Sequence, residues 1–170
     1  MKTDLYFVEG PWPGRLAVAP RPRGGDWLVD EMRAWQQAGI GVVLSLLTPP
    51  ECSEFELDEE ADACRSVGLQ LLSFPIEDRT VPASRDETAR VVTEIVGYLR
   101  RGIGCAIHCR QGIGRAALIA ACLLVWSGVD AETAINRVTL ARGRPVPETA
   151  EQRAWLAAFA GFTAVSRHGQ

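Results

Sequence analysis

At 170 residues the chain is long enough for one domain with a proper core and too short for two. Apolar residues make up 47%, which excludes a disordered chain, and a formal net charge of −3 gives no global basic field of the kind nucleic-acid binders use. The longest apolar stretch, Ala116 to Trp126, is too short to cross a bilayer, and MKTDLYFVEG lacks the apolar core of a secretory signal. The expectation is a cytoplasmic protein with no nucleic-acid partner and no membrane insertion.

Taken in chain order, residues 1–25 mix short apolar pieces with PWPG and PRPRGG, the signature of turns and edge strands. Asp26 can cap a helix to about Ala38, with Trp27, Leu28, Met32 and Trp35 at helical spacing. Ile40 to Leu47 is a continuous apolar run of strand length, ended by Pro49 and Pro50. Glu54 to Val67 reads as an acidic, exposed helix, Leu69 to Phe74 as a strand, and Ser84 to Arg101 as a long helix. Gly104 to His108 is the central strand, and helices follow at about 114–127, 131–141 and 148–160, with a flexible polar tail over 166–170. Alternation of strands and helices predicts a single α/β domain, a mostly parallel central sheet flanked by helices on both faces. Ligands in such sheets sit at the carboxyl ends of strands, where both Cys109 and Asp78 fall.

The segment IGCAIHCRQGIGRAALIA, Ile103 to Ala120, is the most informative. It sets His108, Cys109, Gly112, Gly114 and Arg115 between an apolar strand and an apolar helix. A tight loop closed by a helix turns successive backbone N–H groups toward one point and adds the helix's positive end, so an oxyanion such as phosphate fits there. Arg115, in the first helical turn, can reach back with its planar fork. The same positive potential favours Cys109 as thiolate, the form that attacks phosphorus. An isolated cysteine after a strand is more often an inert buried hydrophobe; here the glycines, the arginine and the helix start turn the reading toward a catalytic anion-binding loop.

HCRQGIGRA resembles the HCxxGxxR loop of the cysteine-dependent protein tyrosine phosphatases, particularly the compact dual-specificity type. FPIEDRTVP, Phe74 to Pro82, is similar to that family's general-acid loop, and RPVPETAEQ, Arg144 to Gln152, to the segment that carries a glutamine to the site. The resemblance implies a dual-specificity phosphatase-like fold and hydrolysis of phosphotyrosine, with phosphoserine and phosphothreonine as further substrates, through a cysteinyl-phosphate intermediate. It casts Cys109 as nucleophile, Arg115 as phosphoryl clamp and Asp78 as general acid, with Glu77 the rival. It casts His108 as a loop-ordering residue that adjusts the thiolate and Gln152 as a water-positioning one. The loop residues Arg110, Gln111, Gly112, Ile113 and Gly114 bind substrate, with backbone amides forming the cradle and the side chains of Arg110, Gln111 and Ile113 free to face substrate or neighbouring loops. No cofactor or metal is required. Partners are then a phosphorylated protein or peptide, or a small aryl phosphate.

The pattern departs from the family at one place. Ala116 stands where the family carries serine or threonine, whose hydroxyl helps the sulfur leave, so the second step is expected to be slow. That departure supports an alternative, a phosphate-binding module with little turnover. A phosphoinositide phosphatase is a further alternative, although such loops often carry lysines and Lys2 is the only lysine of the chain. Sulfur transferases and arsenate reductases have related loops but no need of a separate acid loop. The five cysteines, Cys52, Cys64, Cys105, Cys109 and Cys122, show no metal-ligand spacing. Cys64, Cys105 and Cys122 read as packing residues, and Cys52 is a candidate disulfide partner for an oxidised Cys109.

Overall fold

The computed structural model of the chain describes residues 3–168. Its strands are β1 (Tyr6–Val8), β2 (Leu16–Ala19), β3 (Ile40–Ser45), β4 (Gln70–Ser73) and β5 (Gly104–His108). Its helices are α1 (Leu28–Gln37), α2 (Pro49–Glu54), α3 (Glu60–Ser66), α4 (Arg85–Arg100), α5 (Arg115–Trp126), α6 (Ala131–Arg142) and α7 (Ala150–His168). The sheet order is β1-β2-β5-β3-β4, parallel except for the antiparallel pair β1–β2. The expected α/β class and mostly parallel sheet are what the chain forms.

Strand alternation sorts side chains into two cores. Leu16, Val18, Leu44 and Ile107 face one way, into a cluster shared with Val92, Ile95 and Leu99 of α4 and nearly all of α5. Ala17, Ala19, Val43 and Ala106 face the other way, against Leu28, Met32 and Trp35 of α1 and Cys64 of α3. Every residue from Arg115 to Val125 is buried, because α5 lies between the sheet and α4, α6 and α7. A helix so enclosed is apolar all round. Each of Leu118, Ile119, Leu123 and Leu124 contributes roughly 1.5–3 kcal/mol by leaving water. The helix that starts at Arg115 is therefore held firmly, and so is the loop before it.

Several expected elements differ. β2 is interior, between β1 and β5, rather than an edge. Asp26 lies in a 3-10 turn, Gly25–Trp27, and α1 starts only at Leu28. The strand expected to run to Leu47 ends at Ser45. The exposed helix expected over 54–67 is instead two short helices, α2 and α3, joined at Phe55–Glu59 with Leu57 buried and Glu56 at φ 54°. Pro49 and Pro50 do more than end β3. They occupy the opening turn of α2, where a missing N–H costs nothing. α7 continues to His168, so the tail expected over 166–170 starts inside a helix, and residues 169–170 lie outside those described.

Candidate active site

Residues 109–114 carry the chain from the carboxyl end of β5 into α5. Gly112 has φ +70°, and a Cβ there would sit 2.6 Å from the carbonyl carbon of Ala19, so the position needs glycine on both counts. Its amide donates to Cys109 Sγ at 3.3 Å. The opposite side of the loop is held from α6: Arg142 donates through Nε to the Gly112 carbonyl at 2.9 Å and through Nη2 to the Gln111 carbonyl at 3.3 Å. Its guanidinium lies 3.8 Å from the centre of the Tyr6 ring. In a trans peptide the N–H points opposite to the C=O. Holding those two carbonyls outward therefore turns the amides of Gly112 and Ile113 the other way, the Gly112 amide onto the sulfur. Sequence reading missed Arg142, since nothing in its helical spacing distinguishes it from a surface arginine.

Arg115 is 1% exposed, and both of its terminal nitrogens are partnered. Nη1 and Nη2 donate to Glu51 Oε2 and Oε1, both at 2.8 Å, and Nη1 also donates to the Ile76 carbonyl at 2.7 Å. Nη2 meets Asp78 Oδ1 at 3.0 Å. Burial alone would lower the Arg115 pKa, but the Glu51 hydrogen bonds and the charges of Cys109, Glu51 and Asp78 outweigh it, and the net shift is upward. Burial likewise opposes ionisation of Glu51; hydrogen bonds from Arg115 and Thr48, with the charge of Arg115, win and hold its carboxyl at about 2. Oε2 also accepts from the Thr48 amide and hydroxyl at 2.9 and 3.1 Å. Glu51 was not foreseen, although TPPE at 48–51 is a capping-box pattern that marks a helix start with its glutamate turned back.

The acid loop follows β4. Ile76 anchors it, its amide donating to the Leu46 carbonyl at 3.0 Å. Of the two rival acids, Asp78 is brought to Arg115, while Glu77 is exposed and contributes its carbonyl to a turn with Thr80. Arg79 then sits at φ +61° and reaches Glu148 at 3.4 Å. Gln152, fully buried, donates to the Thr80 carbonyl at 3.1 Å and accepts from the Thr149 amide at 3.3 Å. A Cβ on Gly114 would fall 2.6 Å from Glu148 Oε1 and 3.1 Å from Gln152 Nε2. The segment 148–152 therefore lies directly over the cysteine loop and ties the acid loop to it.

Three expectations meet a different geometry. Among the described residues His108 makes no side-chain bond to the loop: its ring points to the α1–α3 face, where Nε2 lies 2.8 Å from Glu60 Oε1 and Trp35 stands edge-on at 6.0 Å. Its Nδ1 has no partner among the described residues. The reason is strand alternation, which sends His108 to the same face as Ala106. Ile113 is not free to face substrate, being buried in the main core, whereas Arg110 and Gln111 are exposed. Cys52 is unpaired and packs with the opposite core from Cys109. Burial pushes the thiols of Cys64 and Cys105 to about 12 and that of Cys122 well above the ordinary value, which suits packing residues.

A parallel sheet that ends in a glycine-lined cysteine loop, with a buried arginine and a carboxylate on a separate loop, is the architecture of the cysteine-based phosphatases. Residues 18–129 match the family described as "Polymorphic toxin system, DSP-PTPase phosphatase", and the chain belongs to that family. It is 27% identical over 126 residues to cyclin-dependent kinase inhibitor 3 of Rattus norvegicus, across 73% of this chain and 59% of the relative. It is 35% identical over 157 residues to putative tyrosine phosphatase 197R of Invertebrate iridescent virus 6, across 89% of this chain and 54% of that protein. The chain thus spans little more than half the length of these curated relatives. Its fold is that of the kinase associated phosphatase, solved with its catalytic-site cysteine replaced by serine. The TM-score is 0.87 at 21% identity, covering 96% of this chain and 97% of the other.

Proposed function

We propose that this chain hydrolyses phosphotyrosine, and phosphoserine or phosphothreonine, esters of proteins through a cysteinyl-phosphate intermediate. The observation that carries the reading is the convergence on Arg115: Asp78 at 3.0 Å from one side, the doubly bonded Glu51 from the other, and the charge of Cys109 acting on the same guanidinium. Phosphoryl oxygens entering between Arg115 and Asp78 replace the Asp78 carboxylate on Nη2 and take up the loop amides. Cys109 attacks phosphorus, a P–S bond forms as the P–O ester bond breaks, and Asp78 gives its proton to the leaving oxygen. Water then attacks phosphorus, Asp78 takes its proton, and the P–S bond breaks to release phosphate. The clamp and amides stabilise the charge spread over the equatorial oxygens in both steps.

Two residues qualify the second step. Gln152 lies over Gly114 and is suited to orient the water. Ala116 offers no hydroxyl to the departing sulfur, which leaves the Gly112 amide, at 3.3 Å, as its hydrogen-bond donor. Phosphoenzyme is therefore expected to accumulate, and Ala116→Ser to speed its breakdown about tenfold or more.

The deciding experiment follows phosphate release from para-nitrophenyl phosphate and a phosphotyrosine peptide, in chelator, for wild type and Cys109→Ser. Turnover lost in the variant supports the reading. If the fully reduced wild type releases nothing but binds phosphopeptide in an Arg115-dependent way, the chain is a phosphate-binding module instead.

A further inference from the structure

Beside the cysteine loop, two arginines share one aromatic ring. Arg110, the residue after Cys109, places its guanidinium 5.1 Å from the centre of Phe55, and Arg21, just past β2, places its own 4.2 Å from the same ring. The two strand ends are joined by a hydrogen bond from the Arg21 amide to the Arg110 carbonyl at 3.3 Å. Phe55 itself is fixed. Its amide donates to the Glu51 carbonyl at 3.0 Å, and Glu56 beside it accepts from the Gly25 amide at 3.0 Å. This platform therefore rests on the turn that also carries Glu51 to Arg115.

The charges on the platform are incompletely matched. Arg110 has Glu54 at 3.7 Å and Asp78 at 3.9 Å, both beyond hydrogen-bond distance. Arg21 has no carboxylate within ion-pair distance among the described residues. Stacking on a ring holds a guanidinium in one plane and leaves its N–H edge free, an arrangement suited to planar, bidentate recognition of a carboxylate. The 3.9 Å ion pair of Arg110 with Asp78 is loose enough to be exchanged.

We infer that Arg21 and Arg110, held on Phe55, form a subsite for an acidic side chain flanking the phosphorylated residue of a peptide substrate. The inference rests on the phosphatase reading and adds sequence preference to it. Charge distribution favours a peptide over a lipid surface. Around Phe55 the chain exposes Glu54, Glu56, Asp58, Glu59 and Asp62, which an anionic bilayer would repel, whereas a single acidic side chain meets the arginine pair with only Glu54 and Asp78 loosely paired to Arg110 beside it.

The test compares kcat/KM on phosphotyrosine peptides identical except for aspartate, alanine or lysine at each flanking position. Wild type should favour aspartate over alanine at one position by roughly three- to tenfold, and the ratio should shrink as salt rises. Arg21→Ala should bring the ratio close to one, and Arg21→Lys should keep part of it, since charge remains but the planar fork is lost. Phe55→Leu, which keeps an apolar side chain without the ring, should lower it as well. A wild-type ratio of one at every position overturns the inference, as does a ratio unchanged in Arg21→Ala. Faster Arg21-dependent release from phosphoinositide vesicles than from the aspartate peptide would also overturn the peptide assignment. Cys109-dependent turnover of para-nitrophenyl phosphate checks the underlying reading separately. Should that turnover be absent, the affinities of the same peptides for wild type and Arg21→Ala decide the subsite by the same ratio.

Discussion

The cysteine loop and the acid loop face one another across a single cleft, yet they are held in different ways. The first is continuous with a strand and a helix buried along nearly their whole length, packs Gly112 against Ala19, and has Arg142 on two of its carbonyls. The second is anchored at Ile76; beyond it Glu77, Asp78 and Arg79 are exposed, and three contacts hold the loop: Asp78 to Arg115 at 3.0 Å, Arg79 to Glu148 at 3.4 Å and Gln152 to the Thr80 carbonyl at 3.1 Å. Elements with few buried contacts open most readily. The contrast suits a reaction in which the nucleophile and cradle must be preorganised while the acid must admit substrate and release product. Arg115 and Glu51 join the two halves, and the sharpest ways to break the comparison start there.

The largest combined effect, on stability and turnover together, is expected from Glu51→Gln. Losing the carboxylate leaves a buried guanidinium without its main counter-charge, which costs about 3–5 kcal/mol when such a pair is broken. Both Tm and kcat/KM should fall, the latter by roughly 10²–10³-fold as the clamp loses its fixed plane. Acid sensitivity gives an independent signature. The Glu51 carboxyl is held at about 2 in the folded chain against an ordinary 4.5. Its contribution to stability is therefore fully present above pH 4.5 and is lost as the pH falls toward 2. Wild type should lose Tm across that window more steeply than Glu51→Gln. Equal slopes would mean that Glu51 does not hold the site together.

Asp78→Asn should act on chemistry alone. Its side chain is 40% exposed, so stability should change by no more than about 0.5 kcal/mol. The kcat on a phosphotyrosine peptide should fall by roughly 10²–10⁴-fold, the usual contribution of a positioned acid, and by less on an aryl phosphate whose leaving group needs little protonation. An equal loss on both substrates would point to a role for Asp78 in holding Arg115 instead of donating a proton.

How much of this was legible depended on whether the information was local. Cys109, the glycines and Arg115 lie within one stretch, and strand-loop-helix periodicity frames them, so the cradle could be read directly. The alternating pattern likewise gave the sheet class. Glu60 was hidden because it lies inside the acidic helix expected to be exposed over 54–67, and Glu51 because Pro49 and Pro50 read as the end of β3 and not as the start of α2; the burial of both depends on 49–66 forming two short helices. His108 is a related case: it directly precedes Cys109, so the resemblance makes it a loop-ordering residue, but its strand parity sends its ring to the opposite face, toward Glu60. Arg142 and Glu148 act through contacts 30 or more residues distant in sequence, which periodicity does not encode.

The smallest predicted effect tests whether the acid loop is latched. Arg79 meets Glu148 at 3.4 Å with 66% of its side chain exposed, so the pair itself is worth little in stability. Its backbone, however, is at φ +61°, a conformation costly for any residue with a Cβ. Arg79→Ala removes the ion pair and keeps that strain, whereas Arg79→Gly removes both. If the latch to Glu148 positions Asp78, both variants should lower kcat by about two- to fivefold with KM nearly unchanged, and Glu148→Gln should match them. If instead backbone strain is what shapes the turn, Arg79→Ala should behave as wild type and only Arg79→Gly should slow turnover. The Ala and Gly variants therefore separate charge from conformation at one of the residues that tie the exposed acid loop to the segment over the cysteine loop.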